Sequence, residues 1–131
     1  MPTALTPPTI APPFGAYSHG IDSGPMARVV VTSGQLGLAP DGTCAPDVAG
    51  QARQCFANIE AILAAAGLGP EHVIRLNAYV TERADFAPYM AVRDAWLSGV
   101  PVKPASTLVI VSGFPRPEFR VEVEATAIVP A

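Results

Sequence analysis

Cysteine, charge and long apolar runs are all scarce in this chain. Its two cysteines, Cys44 and Cys55, are too few for a disulfide framework, and neither belongs to a CxxC pair or a His/Cys cluster with metal-ligand spacing. Buried or idle thiols are expected, and no metal site is. Charged residues make up only 15% of the sequence and the net charge is −3, with Lys and Arg scattered rather than clustered. That removes the electrostatic footprint of a nucleic-acid-binding protein or of one attracted to an anionic membrane. Nothing approaches the roughly 20 apolar residues of a membrane span. Met1 to Pro13 has neither the basic start nor the apolar stretch of a signal peptide, so a cytoplasmic protein is expected.

Hydrophobic residues, at 50% of 131, and proline, at 15 residues, are plentiful instead. The length suits one domain spanning 1–131, and a subunit this apolar is expected to bury surface against copies of itself. Pro2, Pro7, Pro8, Pro12 and Pro13 remove backbone donors and fix φ, so residues 1–13 form an irregular or extended arm wrapping the surface.

Along the chain, Tyr17–Ile21 and Arg28–Gln35 look like strands joined into a hairpin through Asp22-Ser23-Gly24-Pro25. A short strand at Leu36–Leu38 leads into a turn at Pro40-Asp41-Gly42-Thr43. Val48, Ala52, Cys55, Phe56, Ile59, Ile62, Leu63 and Ala66 step by three and four, the stripe of an amphipathic helix, with Asp47 placed to cap it and Gly67-Leu68 to close it. Ile74, Leu76, Ala78 and Val80 alternate with polar neighbours as a half-buried strand. Phe86, Tyr89, Met90, Arg93, Trp96 and Leu97 mark a second helix, with Asp85 as its cap and Gly99-Val100-Pro101 as its stop. Ser106–Val111 and Arg120–Val129 supply two more strands. This order places both helices on one face of a mixed sheet and leaves the other face to be covered by assembly.

Phe14-Gly15-Ala16-Tyr17, Thr32-Ser33-Gly34-Gln35, Gln51-Ala52-Arg53-Gln54 ahead of Ala65-Ala66-Gly67-Leu68, Pro104-Ala105-Ser106 and Val121-Glu122-Val123-Glu124-Ala125 follow one another from about Pro12 to Val129. In that order and spacing they resemble the Rid (RidA/YjgF) family. The resemblance implies an α+β, chorismate-mutase-like subunit in a homotrimer with small-molecule clefts between neighbours. It also implies hydrolysis of imines and enamines such as 2-aminoacrylate to a keto acid and ammonia, without metal or cofactor. By the same resemblance Tyr17 is a cleft tyrosine, Ser33 and Gly34 line the cleft with backbone, and Glu122 places the attacking water.

One position departs from the pattern. The family's deaminases follow Pro-Ala with an arginine that grips the substrate carboxylate, and here Ser106 follows Pro104-Ala105. Leu108 stands where those enzymes usually carry cysteine, and Met90 where they often have asparagine. A guanidinium offers a carboxylate two charge-assisted hydrogen bonds and a serine hydroxyl only one neutral donor, so activity on 2-iminopropionate is expected to be weak or absent. A more apolar cleft around Ser106, Leu108, Ile110 and Phe114 implies an altered substrate.

Several residues carry two readings. Tyr17 is a ligand contact or an edge aromatic, Glu122 a water-positioning group or one of two solvated strand carboxylates with Glu124. His19, two residues from Tyr17, is a general base or a plain exposed imidazole. Arg93 is a carboxylate clamp reaching in from a different direction, or a side chain snorkelling over the core. His72 carries no partner signal. The leading function is a Rid-type hydrolase or deaminase acting on a small imine, enamine or related metabolite. The alternative is a non-catalytic trimer that binds metabolites or regulates a partner enzyme, and a ribonuclease comes third because the chain is acidic and lacks a basic or aromatic groove.

Overall fold

A computed structural model describes residues 2–131. Seven strands and two helices follow in the order β1 (Thr3–Leu5), β2 (Gly20–Asp22), β3 (Met26–Val31), β4 (Gln35–Leu36), α1 (Val48–Ala65), β5 (Val73–Val80), α2 (Phe86–Trp96), β6 (Ala105–Ile110) and β7 (Val121–Pro130). The main sheet runs β3-β7-β5-β6, with β4 also pairing β7. β7 is antiparallel to β3, β4 and β5, whereas β5 and β6 are parallel and joined by α2. The fold is therefore α+β, a mixed sheet with two helices on one face. Ala52, Cys55, Phe56, Ile59 and Leu63 of α1 pack with Tyr89 and Leu97 against Leu76, Ala78, Val121 and Val123 of the sheet. No helix among the described residues is long and apolar enough to cross a membrane.

The first helix starts and stops where its stripe does, but not by the means expected at both ends. At the C-terminus Gly67 takes φ +76, and the Leu68 and Gly67 amides donate to the Leu63 and Ala64 carbonyls at 2.8 and 3.0 Å, the double bond of a Schellman closure. At the N-terminus Asp47 makes no side-chain capping bond. Gln51, one turn in, is fully buried instead: its Nε2 donates to the carbonyls of Ala45 and Glu118 at 2.9 and 2.8 Å, and its Oε1 accepts the Arg120 amide at 2.9 Å. Asp85 does not cap α2 either, because its buried carboxylate pairs with Arg120 at 2.5 Å.

The expected hairpin between the first two core strands does not form. β2 pairs with β1 of the proline-rich arm in a separate two-stranded sheet, and β3 pairs with the C-terminal β7. The arm segment Thr3–Leu5 competes successfully for β2 because both are short edges, whereas β7 offers β3 a long apolar partner. Tyr17 lies ahead of β2 rather than in it. The expected strand from Arg28 to Gln35 breaks after Val31: the Thr32 amide donates to Ala125 O at 2.9 Å while its Oγ1 accepts the Ala125 amide at 3.0 Å. A side chain thus replaces a ladder partner, and Ser33-Gly34 turn outward before pairing resumes as β4. In β5 the alternation slips at Ile74, the extra residue of a bulge between Val73 and Arg75, so Val73 rather than Ile74 is buried. The Pro40–Thr43 turn forms as expected with Gly42 at φ +85, although Leu38 makes only an isolated bridge to Cys44. His72 is not without a partner, since its Nδ1 accepts the Gly69 amide at 3.0 Å.

Candidate functional site

Ser106 and Leu108 on β6 stand opposite Leu76 and Ala78 of β5 in register, so they face the helix side of the sheet at its edge. Helix α2 runs along that edge, and its residues at successive turns, Phe86, Met90 and Arg93, complete one wall. Phe14 and Tyr17 close the other side. Their segment is pinned to the start of β6 by the Ser18 amide, which donates to Pro104 O at 2.9 Å, and by the Ser18 hydroxyl, which donates to Lys103 O at 2.5 Å. The result is a cavity of about 270 Å³, mostly apolar, with one cation.

That cation is Arg93. Its side chain is only 5% exposed, which excludes snorkelling, since a snorkelling arginine keeps its head group in water. Nε donates to Asp94 Oδ1 at 3.0 Å and Nη1 points at Ser106 Oγ at 3.4 Å, a long contact. The rings of Tyr17 and Tyr89 each lie with their centres 6.0 Å from the guanidinium carbon. Gly15 also backs onto it, where a Cβ would come 3.1 Å from Nη2. Burial pushes the Tyr89 phenol upward, and its hydroxyl is enclosed without a hydrogen-bond partner.

A second cluster lies on the opposite, helix-free face. Glu122 stands opposite Leu36 of β4 and Tyr79 of β5, beside the Ser33-Gly34 turn that the Thr32 side chain creates. The two outward carboxylates of β7 differ. Glu124 accepts the Tyr79 hydroxyl at 2.5 Å, and that bond holds the phenol above its ordinary range. The Glu122 carboxylate accepts no hydrogen bond among the described residues and packs against Gly34, where a Cβ would fall 2.6 Å from its Cδ.

The residues singled out in the sequence therefore divide. Tyr17, Arg93, Ser106 and Leu108 share the cavity, while Ser33, Gly34 and Glu122 share the far face of the sheet. His19 joins neither: it is exposed, its ring stacks edge-on to Tyr17 at 5.9 Å, and its Nε2 meets Ala11 O at 2.5 Å. Ile110 does not line the cavity, and Phe114 lies in a separate recess of the 112–119 loop. Phe14 and Phe86, not assigned to the cleft from the sequence, do line it; the 86, 90, 93 spacing was the available signal. No group of three or more potential metal ligands occurs among the described residues.

Comparison with known proteins adds four findings. The profile of the family described as endoribonuclease L-PSP matches residues 9–129. The 2-iminobutanoate/2-iminopropanoate deaminase of Salmonella typhimurium is 36% identical over 117 residues, 88% of each chain. Among solved structures, YyfB of the Rid protein family from Yersinia pestis aligns with a TM-score of 0.88 at 29% identity over 98% of both chains. TdcF of Escherichia coli with bound serine aligns at 0.72 and 30%, covering 96% of this chain and 98% of that one.

Proposed function

This chain belongs to the endoribonuclease L-PSP family, the family of the Rid proteins, and on that premise we propose that it is a cytoplasmic hydrolase releasing ammonia from a small imine or enamine in a cleft closed by two copies of the chain. The observation that carries the proposal is the division of the candidate residues between opposite faces of one sheet. No single copy can set the Arg93 cavity and Glu122 around one ligand, and a cyclic assembly can, because each copy then offers one face to each neighbour. The helix-free face suits burial: Val31 is 68% and Val109 40% exposed there. A homotrimer is the proposed assembly.

In the proposed reaction Glu122 takes a proton from water as the oxygen adds to the imine carbon and passes it to the nitrogen, and the carbinolamine's hydroxyl proton follows to that nitrogen as the C–N bond breaks, leaving the carbonyl and releasing ammonia. Tyr17, at the cavity mouth, orients the nitrogen-bearing end. The named activity of the Salmonella relative and the serine bound to TdcF support a ligand with a carboxylate. With Ser106 in place of a strand arginine, any clamp must come from another direction, and a displacement of about 1 Å costs about a hundredfold in rate. Turnover of 2-iminopropionate is therefore proposed to be weak. Glu122 and Glu124 on the same face repel phosphate, which disfavours the ribonuclease reading.

The test is ammonia release from a panel of imines generated in situ, with the oligomeric state followed by light scattering. Release above the uncatalysed rate by an oligomer supports the proposal. A monomer at micromolar concentration, or no release from any imine, overturns it.

A further inference from the structure

We infer that Arg93 is the anion anchor of the cavity, so that the ligand is a monocarboxylate gripped from helix α2, and that positions 93 and 106 are alternative seats for a single cation. The inference deepens the proposed function and rests on it for the role of the cleft. Its grounds are geometric. A guanidinium carries five donors, and among the described residues this one uses Nε on Asp94 and a long 3.4 Å contact on Ser106. Nη2 donates to no protein acceptor there. A cation 95% withdrawn from water with donors left over requires an anion or a strong acceptor nearby.

The one carboxylate it has, Asp94, is 43% exposed and engages Nε alone. Nη1 and Nη2 form the pair of donors that matches a carboxylate edge in two parallel bonds. Arg93 lines the cavity, with Nη1 at Ser106 of its wall and Nη2 beside Gly15, the neighbour of the lining residue Phe14, where a Cβ would come within 3.1 Å. Apart from Tyr17, the remaining walls, Phe14, Phe86, Met90 and Leu108, are apolar and offer no second charge, so a single carboxylate with an apolar substituent fits and a dianion does not.

The same geometry makes the two positions mutually exclusive. Ser106 Oγ already touches Nη1, so an arginine at 106 would bring a second guanidinium against the first in a desolvated pocket, where like charges are costly. An arginine at 106 should help only when Arg93 is removed.

Titration calorimetry of the full chain with 2-oxobutyrate and with its uncharged amide, 2-oxobutanamide, tests this without turnover. Wild type should bind the acid about tenfold or more tighter than the amide. Arg93→Gln should erase that preference, Ser106→Arg alone should weaken acid binding, and Arg93→Gln with Ser106→Arg should restore it. Circular dichroism and thermal melts establish that each variant is folded, and Arg93→Lys, keeping the charge but not the fork, should give an intermediate preference. Unchanged acid preference in folded Arg93→Gln, tighter binding by Ser106→Arg alone, or equal binding of acid and amide by wild type overturns the inference. If the acid binds through Arg93 while no imine releases ammonia, the anchor stands and the proposed hydrolysis fails.

Discussion

Gly34 and Glu122 are in such close contact that the Cβ of any other residue at 34 would lie 2.6 Å from the Glu122 carboxyl carbon and 2.8 Å from Oε2. The carboxylate is thus positioned by a missing side chain. Gly34→Ala should displace it while leaving the fold intact, because residue 34 sits in an exposed turn between β3 and β4 with no positive φ to strain. Ammonia release should fall about tenfold or more with an unchanged melting temperature, since small displacements of a catalytic group are costly in rate. A rate equal to wild type would separate Gly34 from the chemistry.

Glu122→Gln keeps the size of the side chain and removes its basicity. If Glu122 activates water, turnover should drop by about two decades or more, with ligand affinity nearly unchanged. Glu124→Gln, whose parent residue is occupied by Tyr79, should have the smaller effect of the two. Steady-state kinetics on both variants, with assembly checked by light scattering, decides between them.

Asp85 and Arg120 form an unequal pair: the aspartate side chain is 2% exposed and the arginine 37%. Arg120→Ala would leave a buried carboxylate with neither oxygen partnered, since Oδ2 has no partner already, and should cost about 3–5 kcal/mol. Asp85→Ala leaves an arginine that can turn to water and should cost less, about 1–2 kcal/mol. Denaturant melts giving the opposite ranking would show that the ion pair does not hold this corner.

Burial pushes the Cys55 thiol from 9.0 up to about 12. The unfolded chain therefore sheds that proton near pH 9 and the folded one does not, so stability present below pH 9 is lost as pH rises toward about 12. In that window Cys55 should add a loss on the order of one kcal/mol per pH unit, and Cys55→Ala should lessen it, leaving the part contributed by the raised Tyr79 and Tyr89 phenols. In the native protein at pH 8, iodoacetamide should label the half-buried Cys44 before Cys55, and mass spectrometry of the labelled peptides reads the order directly.

Two local elements of this protein, α1 and β7, were determined by its sequence alone. The stripe from Val48 to Ala66 and the glycine after it define α1, and the alternation of Val121, Val123, Ala125 and Ala127 defines β7, because both periods arise from backbone geometry that needs no distant partner. The order of motifs along the chain was enough to identify the family. What lay beyond sequence was decided by contacts between segments far apart. Thr32 breaks its strand only because Ala125 lies beside it, and β2 takes an arm strand as its partner because β7 has already claimed β3. Arg93 has a stem long enough for either water or the cavity, and only the packing of α2 along the edge of β6 sent it inward to Ser106. The separation of Glu122 from that cavity had the same origin, since alternation assigns a residue to one face of its own strand, whereas the pairing of β7 through β5 to β6 decides which neighbours share that face.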